Sequence, residues 1–205
     1  MEEERKYMDK NNILADMGNF SILKEEIERM AKKADYEIEH SHMLSVFEWV
    51  LRLKPDADLA LKIAALGHDI ERYDENKVKR ENFDSYEKFK RAHAQRSATI
   101  TSNLMNQYGF NEQIIQKTAF LIANHEVGGE GDVEIIKDAD SLSFFDNNVY
   151  SYWKTHSSFF KDKIMFMYSR LSTRGKTLFK EIFFKDKIIE EEINKIVQEY
   201  EKTTS

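Results

Sequence analysis

Four of the six histidines in this chain fall in an ordered series with two aspartates: His42, then His68-Asp69, His93, His125 and Asp140. Imidazole nitrogens mixed with carboxylate oxygens suit borderline first-row ions, whereas Ca²⁺ prefers a shell of oxygens alone. The His68-Asp69 dipeptide offers one ion a nitrogen and an oxygen from adjacent residues, and its carboxylate has a second oxygen that could bridge to another ion. Taken singly, a helical histidine is more often a packing or surface residue than a ligand, because short matches carry a high false-positive risk. The surroundings argue otherwise. Ala64-Ala65-Leu66-Gly67-His68-Asp69-Ile70, Leu121-Ile122-Ala123-Asn124-His125-Glu126 and Ile135-Ile136-Lys137-Asp138-Ala139-Asp140-Ser141-Leu142 each set ligand types into an apolar stretch. Polar groups taken into such surroundings need partners or a metal.

The elements that must position these residues read as helices. With 41% hydrophobic residues but only 7 Gly and 1 Pro, the chain is expected to be all-α. Ser21 reads as the cap of a helix through Lys33, with Glu25 and Glu26 near its positive end. A helix over His42 to Leu53 should stop at Lys54-Pro55, and another should run from Asp56 or Asp58 to His68. Residues 74–84 carry charge without an apolar period and read as a loop. Ser85 begins a long helix that Gly109 stops; His93, Ser97, Ile100 and Leu104 fall on one side of it. Asn111 caps the next, along which Thr118, Ile122 and His125 share a face, and Gly128-Gly129-Glu130-Gly131 links it to the Asp140 helix. Aromatic-rich helices follow, and Lys185 to Lys202 reads as an amphipathic helix with a stripe of Ile188, Ile189, Ile193, Ile196 and Val197. His40 and His42 stand roughly 200° apart on a helix, so only one faces a given site, and periodicity leaves both open.

The order His, His-Asp, His, His, Asp resembles the HD-domain superfamily of metal-dependent phosphohydrolases. Gly67-His68-Asp69-Ile70 is similar to its signature dipeptide, and His93-Ala94-Gln95-Arg96-Ser97-Ala98 to the H-x-x-x-[SG]-A segment of members that hold two metals. Asn124-His125-Glu126 and Lys137-Asp138-Ala139-Asp140-Ser141-Leu142 are similar to the segments that follow, and in the latter the ligand matches Asp140, not Asp138. The H-x-x-x-V pattern favours His42, with Val46 and Phe47, over His40. The likeness runs from about His42 to Leu142 and extends more weakly, through Pro55-Asp56-Ala57 and Tyr108-Gly109-Phe110, to a bacterial and fungal family of HD-like proteins.

This resemblance implies a single HD-type helical bundle holding one or two divalent transition metals (Mn, Fe, Co, Ni or Zn). One ion would take His42, His68, Asp69 and Asp140; Asp69 would bridge to a second on His93 and His125. The implied reaction is hydrolysis of a small phosphate ester or nucleotide by a metal-bound hydroxide. Asp69, Glu71, Arg72 and Lys137 are the candidate catalytic residues: Arg72 and Lys137 to grip phosphate, Glu71 to shuttle protons or to orient His68. Glu126 has the same two options beside His125, while Arg96 and the loop residues Lys77, Lys79 and Arg80 are further cations that could meet an anion. Most lysines and arginines are solvated surface charges, which weighs against each of these. Two other outcomes stay open: a di-iron oxygenase of the same six-ligand set, and a non-catalytic HD-fold binding protein. Function inferred from fold likeness is only a prior.

The remaining features set bounds. A chain of 205 residues suits one domain, 1–205, with a metal-site core over about 40–145 and C-terminal helices over 146–205. Without cysteine there are no disulfides, no thiolate ligands and no thiol nucleophile. Met1-Glu2-Glu3-Glu4-Arg5-Lys6 lacks the apolar core of a signal peptide, and no apolar run approaches the roughly 18 residues of a membrane span, so a cytoplasmic protein is expected. A net charge of −6 disfavours general nucleic-acid binding but leaves room for a small phosphorylated substrate. His156 has no motif around it and reads as a surface or packing residue.

Overall fold

A computed structural model describes residues 2–33 and 37–204, with side chains described for 16–33 and 40–204. The fold is all-α, with no strand among the described residues. The elements are α1 (Glu2–Lys33), α2 (Glu37–Leu53), α3 (Leu59–Gly67), α4 (Tyr86–Gln107), α5 (Glu112–Asn124), α6 (Asp132–Ser143), α7 (Val149–Thr155), α8 (Phe160–Ser169), α9 (Thr173–Phe179) and α10 (Lys187–Thr204). Glu2 to Lys6 thus begin α1, and Met1 lies outside the described residues. No helix among the described residues is long and apolar enough to cross a membrane.

Local chemistry sets several boundaries. Asp58 accepts the Leu61 amide at 3.0 Å, Ser85 the Lys88 amide at 3.2 Å and Asn111 the Gln113 amide at 2.9 Å, each satisfying a donor that the first helical turn leaves over. α3 therefore starts from Asp58 rather than Asp56. Gly109, at φ 72°, turns the chain from α4 into α5 in a conformation that costs a residue with Cβ more. Ser21 does not cap anything: it lies inside α1, whose backbone continues unbroken to Lys33. Ile188 leaves the expected stripe of α10 and is 72% exposed, whereas Ile189, Ile193, Ile196 and Val197 are buried.

One apolar cluster runs from Val46, Trp49 and Val50 on α2 through Leu61, Leu121, Ile136 and Leu142 to Phe179, Ile193 and Val197. A second packs Leu23 and Ile27 of α1 against Met43, Ile63, Leu66, Ile70, Met105 and Ile115. α3 contributes to both, so the helix end carrying His68 is fixed from two sides. Gly67 is required there: a Cβ would lie 2.5 Å from Thr101 Oγ1, so only glycine lets α3 end this close to α4. After α6 the helix widens into a single π turn over Phe144–Asn148 before α7, a local irregularity that turns up often at functional sites.

Candidate metal centre

The six residues come from five helices and meet in one buried place. α2 supplies His42, the end of α3 His68 and Asp69, α4 His93, the end of α5 His125, and α6 Asp140. Neighbouring imidazoles contact edge to face, with ring centroids 5.4 Å apart for His42 and His68, 5.3 Å for His68 and His125, and 6.2 Å for His93 and His125. Ligand atoms of His42, His68 and Asp69 lie within 4.8 Å of one another, and so do those of Asp69, His93 and His125. Asp69 belongs to both groups. Asp140 joins the first through Oδ1, 3.3 Å from His42 Nε2.

Every ring is held by Nδ1, which leaves Nε2 to face the centre. His68 Nδ1–H donates to the Ala65 carbonyl at 2.9 Å, and His125 Nδ1–H to the Ile122 carbonyl at 2.7 Å. Both histidines follow the last residue of their helix, so each ring folds back onto a carbonyl of that helix's final turn. Ser143 Oγ donates to the His42 carbonyl at 3.2 Å and accepts from His42 Nδ1–H at 2.8 Å. His93 Nδ1–H donates to Glu71 Oε1 at 2.5 Å. A fixed Nδ1 proton is what directs a neutral imidazole to bind metal through Nε2.

The donors also suit an ion in their charge states. Burial pushes His68 down to about 4, although Asp69 opposes this, so its Nε2 offers a lone pair. That atom is buried and has no hydrogen-bond partner, a cost that a bound ion would remove. Burial alone would raise Asp69, but Arg72, His68 and His93 overcome it and hold the carboxyl well below its usual range. Asp140 is likewise held low, with Arg170 and His42 outweighing burial. His93 differs. Burial opposes its charged form, yet Asp69 at 2.6 Å from Nε2 and Glu71 at Nδ1 raise it to about 9. Without an ion, the proton on Nε2 occupies the direction a metal would take.

Above the histidines opens a cavity of about 610 Å³. His42, Asp69 and Asp140 form part of its floor, and Arg72, Lys90, Lys163 and Arg170 bring four cations to its walls. Phe144, Phe166 and Met167 supply apolar surface, while Asn148, Ser151, Tyr152 and Thr155 turn a polar face of the α7 region inward. Arg170 bonds the His125 carbonyl at 3.0 Å and pairs with Asp140 at 3.0 Å, tying α8 to the ends of α5 and α6.

Of the candidate catalytic residues, Asp69 and Arg72 stand at this cavity, 2.8 Å apart through Arg72 Nε. Glu71 does not. It is 2% exposed and spends one oxygen on His93 and the other on the Val78 amide at 2.8 Å, so its carboxylate orients His93 and not His68. Lys137 does not line the cavity either; its side chain lies against Gly128. Arg96 turns away to Asp74 at 2.8 Å, and Lys77, Lys79 and Arg80 are absent from the cavity wall. Glu126 meets Lys90 at 3.0 Å and Arg170 at 3.6 Å. His42, not His40, reaches the centre. Asp138, buried beside Asp140, serves the fold instead: it accepts the Ser172 amide at 2.9 Å and anchors the start of α9.

Sequence reasoning missed Lys90, Lys163, Arg170 and the aromatic wall. Lys90 carried a signal, since it precedes His93 by one helical turn on the same face. Lys163 and Arg170 did not, because a charged residue on an isolated helix looks like any solvated one. His156, expected as a surface or packing residue, is exposed and stacks on Tyr152 at the cavity rim, with ring centroids 4.7 Å apart.

Residues 19–194 match the model of a family described as a domain of unknown function, DUF4202, and the chain belongs to that family. No curated protein and no solved structure matches the chain.

Proposed function

We propose that this protein is an HD-type metal-dependent phosphohydrolase acting on a small phosphate ester or nucleotide. The observation that carries this is the pairing of two ligand groups through Asp69 with a cavity whose walls hold four cations. His42, His68, Asp69 and Asp140 would hold one ion, and Asp69, His93 and His125 a second. Divalent transition ions held there would supply Lewis acidity toward water and toward phosphoryl oxygens.

The chain's own residues do the rest. Asp69 directs Oδ1 toward His93 and His125 and Oδ2 toward His68 and Arg72, so its two oxygens serve opposite sides of the centre. Arg72 is partly exposed at the cavity wall and is placed to share its guanidinium between Asp69 and an incoming anion. Arg170 and Lys90 hold Glu126 and Asp140 in their ionised forms, keeping the floor anionic and fixed. Phe144, Phe166 and Met167 limit water on one side.

Purified protein reloaded with Mn²⁺ or Co²⁺ should bind more than one ion per chain and release phosphate from aryl phosphate or nucleoside phosphates without O₂. Hydrolysis in ¹⁸O-water should place one label in the phosphate, and EDTA should abolish turnover. A metal-loaded protein that consumes O₂ but hydrolyses no ester anaerobically would instead be an oxygenase. One that binds no metal would be a non-catalytic member of the fold.

A further inference from the structure

Among the four cations of the cavity, three are answered by carboxylates. Arg72 has Asp69 at 2.8 Å, Lys90 has Glu126 at 3.0 Å, and Arg170 has Asp140 at 3.0 Å. Lys163 has none. No carboxylate and no hydrogen-bond acceptor among the described residues lies within bonding distance of its amine. Its nearest favourable contacts are two ring faces, Phe144 with the centroid 5.1 Å away and Phe166 at 5.7 Å.

Such an arrangement is costly in the absence of a ligand. A cation partly withdrawn from water is stable only if something returns the lost solvation, and two ring faces return part of it. Burial accordingly holds the Lys163 amine below the usual lysine range, although Asp140 and Glu126 oppose this from farther off. The cavity therefore lacks one negative charge, at a point open to a small molecule. A lysine amine is a compact point charge with three rotatable donors, which suits an oxyanion that turns during reaction better than a fixed fork does.

We propose that Lys163 is the residue that receives the substrate's anionic group, a phosphoryl or equally compact oxyanion, with Phe144 and Phe166 holding its amine in place. The phosphoryl assignment rests on the hydrolase reading above; the anion site does not.

The test uses full-length, Mn²⁺-loaded protein and inorganic phosphate as probe. Calorimetric titration should show phosphate binding that Lys163→Met weakens about tenfold or more and Lys163→Arg largely keeps, the scale of a lost charged hydrogen bond. Metal content should not change in either variant. Thermal unfolding separates anion binding from a packing role. Without phosphate, Lys163→Met should melt at or above the wild-type temperature, because it removes an unanswered cation; phosphate should then raise the wild-type melting temperature but not that of the variant. Lys161→Met, which breaks the surface pair with Glu199, is the control and should bind phosphate normally. The proposal is overturned if metal-loaded wild type binds no phosphate, if Lys163→Met binds it as tightly, or if Lys163→Met melts lower and phosphate protects both proteins equally. Lys163-dependent phosphate binding without hydrolysis of any ester would keep the anion site and remove the hydrolase.

Discussion

The two ligand groups share Asp69 but are supported differently. In the first, His42 and His68 lean on neutral acceptors, the Ser143 hydroxyl and the Ala65 carbonyl. In the second, His125 leans on the Ile122 carbonyl, but His93 leans on the carboxylate of Glu71 and also faces Asp69. Neutral support fixes a tautomer and little more. Anionic support also makes the imidazole more basic, which strengthens it as a ligand and makes its proton harder to displace. Within the first group His68 is already neutral above about pH 4, whereas within the second His93 holds its proton up to about pH 9. The two positions should fill in that order as pH or metal concentration rises.

The largest effect should come from the shared residue. Asp69→Ala removes a ligand from both groups, so metal content should fall at both positions and any turnover should disappear. His93→Ala should empty only the second position and leave the first filled. Equal losses of metal in the two variants, read by elemental analysis, would mean that Asp69 does not join the groups.

Next comes the choice within α2. His42→Ala should cost the first position its metal, because His42 Nε2 faces Asp140 and its Nδ1 is fixed by Ser143. His40→Ala should leave metal content at the wild-type level. If His40→Ala alone strips the ion, the assignment of the ligand is reversed.

These outcomes mark how far the residues can be read before folding. The six ligand types are legible because chemistry restricts what may hold an ion, and their order survives in the sequence. His42 over His40 comes from the motif alone, since helical geometry leaves both on the flank of the stripe. Glu71 stands out beside the dipeptide, but its partner lies 22 positions away on α4, a contact that only the turn over residues 70–73 creates. The helices around the centre are legible from apolar period and capping residues such as Ser85 and Asn111. Ser21 misleads because a serine inside a long helix has the same neighbours in sequence as one at its start. The cavity wall is hidden for a physical reason. Lys163 and Arg170 become unusual only when packing places them over the histidines, and nothing local to α8 announces that.

A smaller effect follows from pH. In metal-free protein, His93 has a raised value in the folded state, so its contribution to stability is complete below about 6.5 and is lost as pH rises through about 9. His68 has the opposite sign: its contribution is present above about 6.5 and is lost as pH falls through about 4. Chemical denaturation of the metal-free protein should therefore show these two contributions peaking near about pH 6.5 and declining on both sides of it, toward about 4 and toward about 9. A saturating metal should flatten the alkaline decline, because the ion replaces the His93 proton. An alkaline limb identical with and without metal would show that His93 is not where the second ion goes.

The finest division between the two groups is Glu71→Gln. The amide oxygen can still accept from His93 Nδ1–H, keeping the ring's orientation without the negative charge behind it, while the NH2 gives up the bond from the Val78 amide. His93 should become less basic, which has two consequences of opposite sign. The second position should bind its ion more weakly at high pH, by roughly ten- to a hundredfold on the scale of lost outer partners. Its occupancy should also begin to rise at a lower pH, because less of the competing proton remains on Nε2. Titrating metal binding from about pH 6 to about pH 9 in wild type and variant would separate these, with the wild-type affinity for the second ion climbing about tenfold per pH unit while His93 is protonated. A merely structural glutamate would lower affinity without moving that slope's upper limit. The first position, supported by Ser143 and Ala65, should bind alike in both proteins, and a loss there would mean that Glu71 acts by holding the fold together.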